Sequence, residues 1–88
     1  MNNAKRLFDE CLAEIPDEIR QEITLSFAIA DKIDQLLKER NMTQKDFAKM
    51  IGKTPAEVSR WLSGTHNFTL RTIALISSAL HSDIIKTV

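Results

Sequence analysis

The sequence predicts an all-α fold, a small helical bundle preceded by a helical arm. Apolar residues recur at helical spacing along almost the whole chain, whereas the alternation typical of strands is nowhere convincing. Three of the apolar segments are preceded by a threonine placed where it would cap a helix. The length of 88 residues, 43% of them hydrophobic, suits one compact domain with an appendage.

Residues 1–25 are predicted to form the arm. Its apolar residues fall at helical spacing up to Pro16, and they are Leu7, Phe8, Cys11, Leu12 and Ile15. Because an uncovered apolar stripe favours aggregation, the arm must pack on the domain, pair with a second copy or contact a partner protein. Packing on the domain or in a dimer is favoured.

Residues 17–40, "DEIRQEITLSFAIADKIDQLLKER", form either one long helix or two helices separated near "TLSF". The second half carries one apolar stripe, made of Ile29, Ile33, Leu36 and Leu37. The β-branched Thr24 and the N-cap candidate Ser26 favour a break. We therefore expect a boundary after residue 25 and a second domain over residues 26–88.

Two short helices are predicted in close succession between residues 43 and 64. Thr43 caps the first, and Gly52 ends it in the left-handed conformation. In "TPAE", Thr54 caps the second helix, Pro55 takes its first position and Glu57 completes a capping box. The inward residues of the pair are expected to be Phe47, Ala48, Met50, Ile51, Val58, Trp61 and Leu62. So short a turn predicts a helix-turn-helix with a steep crossing.

Gly64 is expected to end the second of these helices. A final helix is predicted from about Thr69 to Leu80, with Thr69 as its N-cap. Its inward face is expected to comprise Leu70, Ile73, Ile76 and Leu80.

Charge is distributed unevenly along a chain whose formal net charge is zero. Residues 1–25 hold three basic and six acidic side chains, whereas residues 41–88 hold six basic and three acidic ones. An acidic arm joined to a mildly basic body hints at a nucleic-acid face, although a charge excess of this size also suits an ordinary solvated surface.

Several functional classes find no support in the residues. The sequence shows no nucleophile with a base, no glycine-rich phosphate loop and no carboxylate dyad, so we expect no enzyme. One cysteine and two histidines at unrelated spacings predict no metal site, and no cofactor is expected. A single thiol and the lack of a membrane-spanning apolar run favour a cytoplasmic protein.

From about Ser26 to Leu80 the sequence resembles the helix-turn-helix domain of the Cro and phage-repressor (XRE-like) family. The resemblance rests on Gln44, Ala48, Gly52, Val58 and "WLSG" at 61–64, all in the required register. The pattern of the whole chain is also similar to HigA-like antitoxins of toxin–antitoxin systems, which are single-domain members of that family.

This resemblance implies that the second helix of the pair enters the major groove of double-stranded DNA. The implied base-reading positions are Thr54, Pro55, Ala56, Ser59 and Arg60. Arg60 is the best reader, since guanidinium can bond guanine O6 and N7 together, but it could instead pair with Glu57. At the positions of Pro55 and Ala56, many members of the family have polar base-reading residues instead. Thr54 and Glu57 are expected to act mainly as caps, and Trp61 as core.

Phosphate contacts are implied at Gln44, Lys45, Lys53, Thr65, His66, Asn67, Thr69 and Arg71. His66 is either such a donor or an ordinary loop residue. The first functional hypothesis is a transcriptional regulator, a repressor, that binds operator DNA as a homodimer. The alternative is an antitoxin that neutralises a toxin protein through the acidic arm and autoregulates its operon.

Overall fold

A computed structural model describes residues 6–7, 9–10, 14–64 and 66–86. Its complete helices are α1 (Asp17–Glu39), α2 (Gln44–Ile51), α3 (Pro55–Leu62) and α4 (Leu70–Leu80). These residues contain no strand, which confirms the all-α prediction. None of the helices is long and apolar enough for a bilayer-spanning segment. The predictions for Phe8, Cys11, Leu12 and Thr65 lie outside the described residues.

Helix α1 is continuous, so the predicted break at Ser26 is wrong. Ser26 is only 7% exposed and lies within the helix, on the same buried stripe as Ile29 and Ile33. No glycine or proline interrupts residues 17–39, and burial of the stripe outweighs the preference of serine for a helix end. The division into an arm and a domain remains a prediction, and its boundary falls inside a continuous helix.

The turn between α2 and α3 is closed by backbone hydrogen bonds. Gly52 has φ = 72° and ends α2 in the left-handed region, as predicted. The Lys53 N–H donates to the Ala48 carbonyl over 2.9 Å. A hydrogen bond from a residue just beyond the helix to a carbonyl of its last turn typically accompanies a left-handed helix end. Because only the three residues 52–54 separate the end of α2 from the start of α3, the helix-turn-helix prediction is confirmed.

All four helices contribute to one apolar core. It comprises Ile29, Ile33, Leu36, Leu37, Phe47, Ala48, Val58, Trp61, Ile76, Leu80 and Ile84. The core positions predicted at Met50 and Leu70 are wrong, because these side chains are 48% and 84% exposed. At 100° per residue, Leu70 lies about 60° or more around α4 from Ile73, Ile76 and Leu80, so it falls off their face.

A long-range hydrogen bond joins the end of α1 to the end of α4. The Arg40 guanidinium donates to the Leu80 carbonyl over 2.6 Å and more weakly to the Leu36 carbonyl over 3.4 Å. The last carbonyls of a helix have no partner within it, so Arg40 satisfies an acceptor that α4 leaves open. This contact connects the C-terminal ends of two helices, which are 40 residues apart in the sequence.

Replacing Arg40 with methionine keeps the aliphatic stem and removes this donor. We expect the free energy of unfolding to fall by about 1.5 kcal/mol, the usual contribution of a charged donor to a partly buried carbonyl. Urea denaturation followed by circular dichroism measures the change. Lys38→Met is the control, because the ion pair of Lys38 with Asp34 is exposed and lies within α1. If both variants lost the same free energy of unfolding, the hydrogen bond from Arg40 to the Leu80 carbonyl would not stabilise the fold.

Candidate nucleic-acid interface

The first turn of α3 is fixed by a reciprocal capping box. The Thr54 hydroxyl oxygen accepts from the Glu57 N–H over 3.1 Å. Glu57 Oε1 accepts from the Thr54 N–H over 3.3 Å and from the Thr54 hydroxyl over 3.2 Å. The predicted caps are therefore confirmed. The bond from the Thr54 N–H is the main reason that the pKa of the Glu57 carboxyl lies below its ordinary value.

The outer side of α3 is open to solvent, while its inner side is held in the core. Val58 is fully buried and Trp61 is 5% exposed, which confirms the core prediction for both residues. The predicted base-reading residues are all exposed, and they are Thr54, Pro55, Ala56, Ser59 and Arg60. The outer side of α3 therefore presents these side chains to solvent, from Thr54 at its start to Arg60 in its last turn.

Arg60 is exposed and lies in the last turn of α3. The ion pairs found among the described residues are Arg6–Glu10, Arg20–Asp17 and Lys38–Asp34. None of them includes Arg60, so the Glu57–Arg60 bridge considered from the sequence is not formed. The Glu57 carboxylate faces back to Thr54 instead, which leaves the guanidinium directed at solvent rather than held on the helix.

The first turn of α2 has a second capping box that sequence analysis missed. The Asp46 N–H donates to the Thr43 hydroxyl oxygen over 3.0 Å, and the Thr43 N–H donates to Asp46 Oδ2 over 3.2 Å. The pKa of the Asp46 carboxyl lies below its ordinary value, mainly because of a hydrogen bond with the Thr43 side chain and secondly because of the one with the Thr43 backbone. Thr43 and Asp46 are three residues apart, like Thr54 and Glu57, and this spacing is the feature of the sequence that indicates the second capping box.

Two residues predicted to contact phosphate open α2. Gln44 is its first residue, and both Gln44 and Lys45 are exposed. The backbone N–H groups of a first helical turn point along the axis and favour an anion. Lys53, exposed in the turn before α3, adds a cation at the start of the next helix.

An aromatic cluster anchors the loop between α3 and α4. The His66 and Phe68 rings meet edge to face with centroids 4.9 Å apart, and each lies 6.4 Å from the Trp61 ring. Asn67, which lies between His66 and Phe68 in the sequence, is exposed. His66 is thus half-buried against apolar rings, an arrangement that its sequence position did not indicate.

The start of α4 carries the remaining predicted contacts. Thr69 caps the helix as predicted, because its hydroxyl oxygen accepts from the Thr72 N–H over 3.1 Å. Thr69 and Arg71 are both exposed. The described residues thus bring exposed polar or basic side chains to three helix starts, whereas no three potential metal ligands come together among them.

Comparison with known proteins agrees with this architecture. A sequence model of a family described as helix-turn-helix matches residues 33–85, well over half of the chain. The match takes in residues 33–39 of α1, all of α2, α3 and α4, and the first part of the tail. No curated protein and no solved structure gives a significant match. The chain belongs to the Cro/C1-type (XRE) helix-turn-helix family of DNA-binding regulators.

Proposed function

We propose that the protein is a sequence-specific repressor that binds an operator as a homodimer and places α3 in the major groove. The observation that supports this most is the exposed outer side of α3, from Thr54 to Arg60, while Val58 and Trp61 hold its inner side in the core. Helices mounted in this way lie in the major groove and contact base edges. A dimer would double the contacts on a pseudo-palindromic site one helical turn apart.

Within α3 we assign base reading to Ser59 and Arg60. The exposed Arg60 can form two hydrogen bonds to one guanine, and the Ser59 hydroxyl can donate or accept. The proton of the Thr54 hydroxyl is engaged with Glu57, so Thr54 acts mainly as the cap. Pro55 and Ala56 offer apolar contact, for which a thymine methyl group is the matching feature.

Phosphate contacts are assigned to the exposed residues of the three helix starts and the loop. These are Gln44, Lys45, Lys53, Asn67, Thr69 and Arg71. His66 is better suited to holding the loop, because its ring packs on Phe68. Thr65 remains a prediction outside the described residues. If about four phosphates are neutralised per subunit, the logarithm of affinity should fall with the logarithm of salt at about −0.9 per phosphate.

Arg60→Ala tests the proposed reading role. With DNA from upstream of the protein's own gene, a mobility-shift titration should show a loss of roughly 5- to 150-fold in affinity, the value of about 1–3 kcal/mol for a bidentate base contact. Lys86→Ala removes an exposed cation outside the assigned contacts and should have little effect.

A salt series separates the roles open to Arg60. A base reader leaves the salt slope unchanged when it is removed, whereas a phosphate contact lowers the slope by about one. Absence of any shift at micromolar protein, or a shift insensitive to both salt and Arg60→Ala, would count against operator binding.

The second candidate function is that of an antitoxin, which binds and neutralises a partner protein and autoregulates its own operon. The observation that favours it is an exposed apolar surface in the acidic N-terminal part of the chain. Leu7, Ile19 and Ile23 are all exposed there. DNA binding and partner binding are compatible, because these residues precede the matched region 33–85.

A further inference from the structure

An apolar groove lies between the first half of α1, the loop before α4 and the C-terminal tail. Its volume is about 330 Å³. The apolar residues that line it are Leu25, Ile29, Phe68, Ile73 and Ile85. Ile29 forms a buried floor, whereas Leu25 is 55% exposed at the edge. Side chains of this kind leave an apolar surface that a partner could bury.

The edge of the groove on α1 is acidic. Glu18 and Glu22 line it, and they stand four residues apart, on the same helix face as Leu25. No lysine or arginine is among the described residues that line the groove. Neither carboxylate takes part in an ion pair within the described ranges. The groove therefore combines an apolar floor with two negative charges that lack a cation.

The first turns of α1, on which Glu18 and Glu22 lie, are exposed on all sides. Every residue from 17 to 25 is exposed, a stretch of about 13 Å at 1.5 Å per residue. Ile19 and Ile23 on this stretch are also exposed, but they lie about 100° or more around α1 from Glu18 and Leu25 and do not line the groove. Because this part of α1 rises beyond the core, a rod-shaped partner has room to lie beside it.

We infer that this groove binds a basic amphipathic segment of a partner protein. Apolar side chains of that segment would enter between Leu25, Phe68 and Ile85, and its lysines or arginines would pair with Glu18 and Glu22. The inference rests on the second proposed function, protein binding, and names the chemistry of the partner. It does not depend on the base contacts proposed for α3, although Asn67, which is assigned above to a phosphate contact, also lines the groove.

Charge decides between this occupant and the others. A second copy paired through the same face about a twofold axis would bring the same two carboxylates and no cation from the part of the lining that the structure describes, so the negative charges of both subunits would stay uncompensated. Nucleic acid is disfavoured for the same reason, since its phosphates would meet the carboxylates. An occupant of the groove has to bury its apolar floor and neutralise the two carboxylates at its edge. A basic amphipathic helix does both.

Two labelled peptides test the inference on the full chain. Both carry leucines at helical spacing, and one is flanked by lysines where the other has glutamates. In fluorescence anisotropy at low salt, the lysine peptide should bind at least about tenfold more tightly, because charge complementarity favours it. Glu18→Lys with Glu22→Lys should reverse the preference, and Leu25→Asp should weaken the binding of the lysine peptide.

Asp31→Lys is the matched control, because Asp31 is exposed on α1 about 200° around the helix from Ile29. It should leave the preference unchanged. Circular dichroism checks that each variant is folded. Failure of both peptides to bind, equal binding of the two, or no effect of Leu25→Asp would overturn the inference.

Sedimentation and DNA binding are measured in parallel. A dimer that Leu25→Asp dissociates would show that a second copy occupies the groove, which also overturns the inference. Selective binding of the lysine peptide with no operator shift would support the groove and count only against the repressor.

Discussion

Replacing Trp61 with alanine should lower the free energy of unfolding by about 3–5 kcal/mol, the usual cost of removing a buried aromatic side chain. Trp61 is 5% exposed and belongs to the core cluster that joins α3 to the other helices. A domain of 88 residues has a total stability of roughly 4–13 kcal/mol. The single substitution therefore removes a large share of the stability of the fold.

The same substitution should loosen the loop before α4. His66 and Phe68 both pack near the Trp61 ring, and they hold the exposed Asn67 between them. Without the indole, the loop loses the surface that positions it, so we also expect weaker DNA binding under conditions where the variant is still folded. Trp61→Phe keeps an aromatic ring and should lose less of both properties.

Urea denaturation followed by far-ultraviolet circular dichroism gives the stability, because the variant lacks the only tryptophan of the chain. Met50→Ala is the control. Met50 has core-like spacing in the sequence but is 48% exposed, so its removal should cost less than about 1 kcal/mol. A loss for Trp61→Ala as small as that for Met50→Ala would contradict the placement of the indole in the core.

Features that depend on a few neighbouring residues were predictable from the sequence. Thr54 and Glu57 form their capping box, Thr43 and Thr69 cap their helices, and Gly52 adopts the left-handed turn. Each of these signals acts within one helical turn, so no knowledge of the rest of the chain is needed. The helix-turn-helix followed from these local signals and was confirmed.

Features that depend on distant contacts were missed. Ser26 has the local preferences of a helix start, but its place beside Ile29 and Ile33 on a buried stripe keeps α1 continuous. The bond from Arg40 to the Leu80 carbonyl joins residues 40 positions apart and leaves no local pattern. Local preference is a weak guide where tertiary packing decides the outcome.

For the candidate interface, the sequence predicted the buried Val58 and Trp61 on the inner side of the reading helix, whereas the DNA contacts of the outer residues stay a prediction. The resemblance placed Ser59 and Arg60 on the reading helix, and the structure leaves both exposed. The packing of His66 on Phe68 could not be read from spacing, because ring contacts depend on the path of the loop. The acidic groove was equally hidden, since α1, the loop, α4 and the tail each supply part of its wall.

Gly64→Ala should destabilise the protein more than Gly52→Ala, although both glycines lie in the left-handed region. Gly52 has φ = 72°, and an added Cβ would meet nothing within 4 Å. Its replacement should therefore cost only the backbone strain of about 1–2 kcal/mol. Gly64 has φ = 88°, farther from the left-handed minimum, and its added Cβ would overlap the Phe27 ring. We expect a total loss of about 2–4 kcal/mol.

A double-mutant cycle with Phe27→Ala separates the two contributions to the loss at Gly64. The truncated side chain removes the overlap but not the strain, so Gly64→Ala in that background should approach the smaller cost of Gly52→Ala. The Phe27 ring is 46% exposed and could be displaced into solvent. If displacement were free, the two glycine variants would lose equal stability in the unmodified protein. That result would mean that the Phe27 ring of α1 does not pack firmly against Gly64, which lies just after α3.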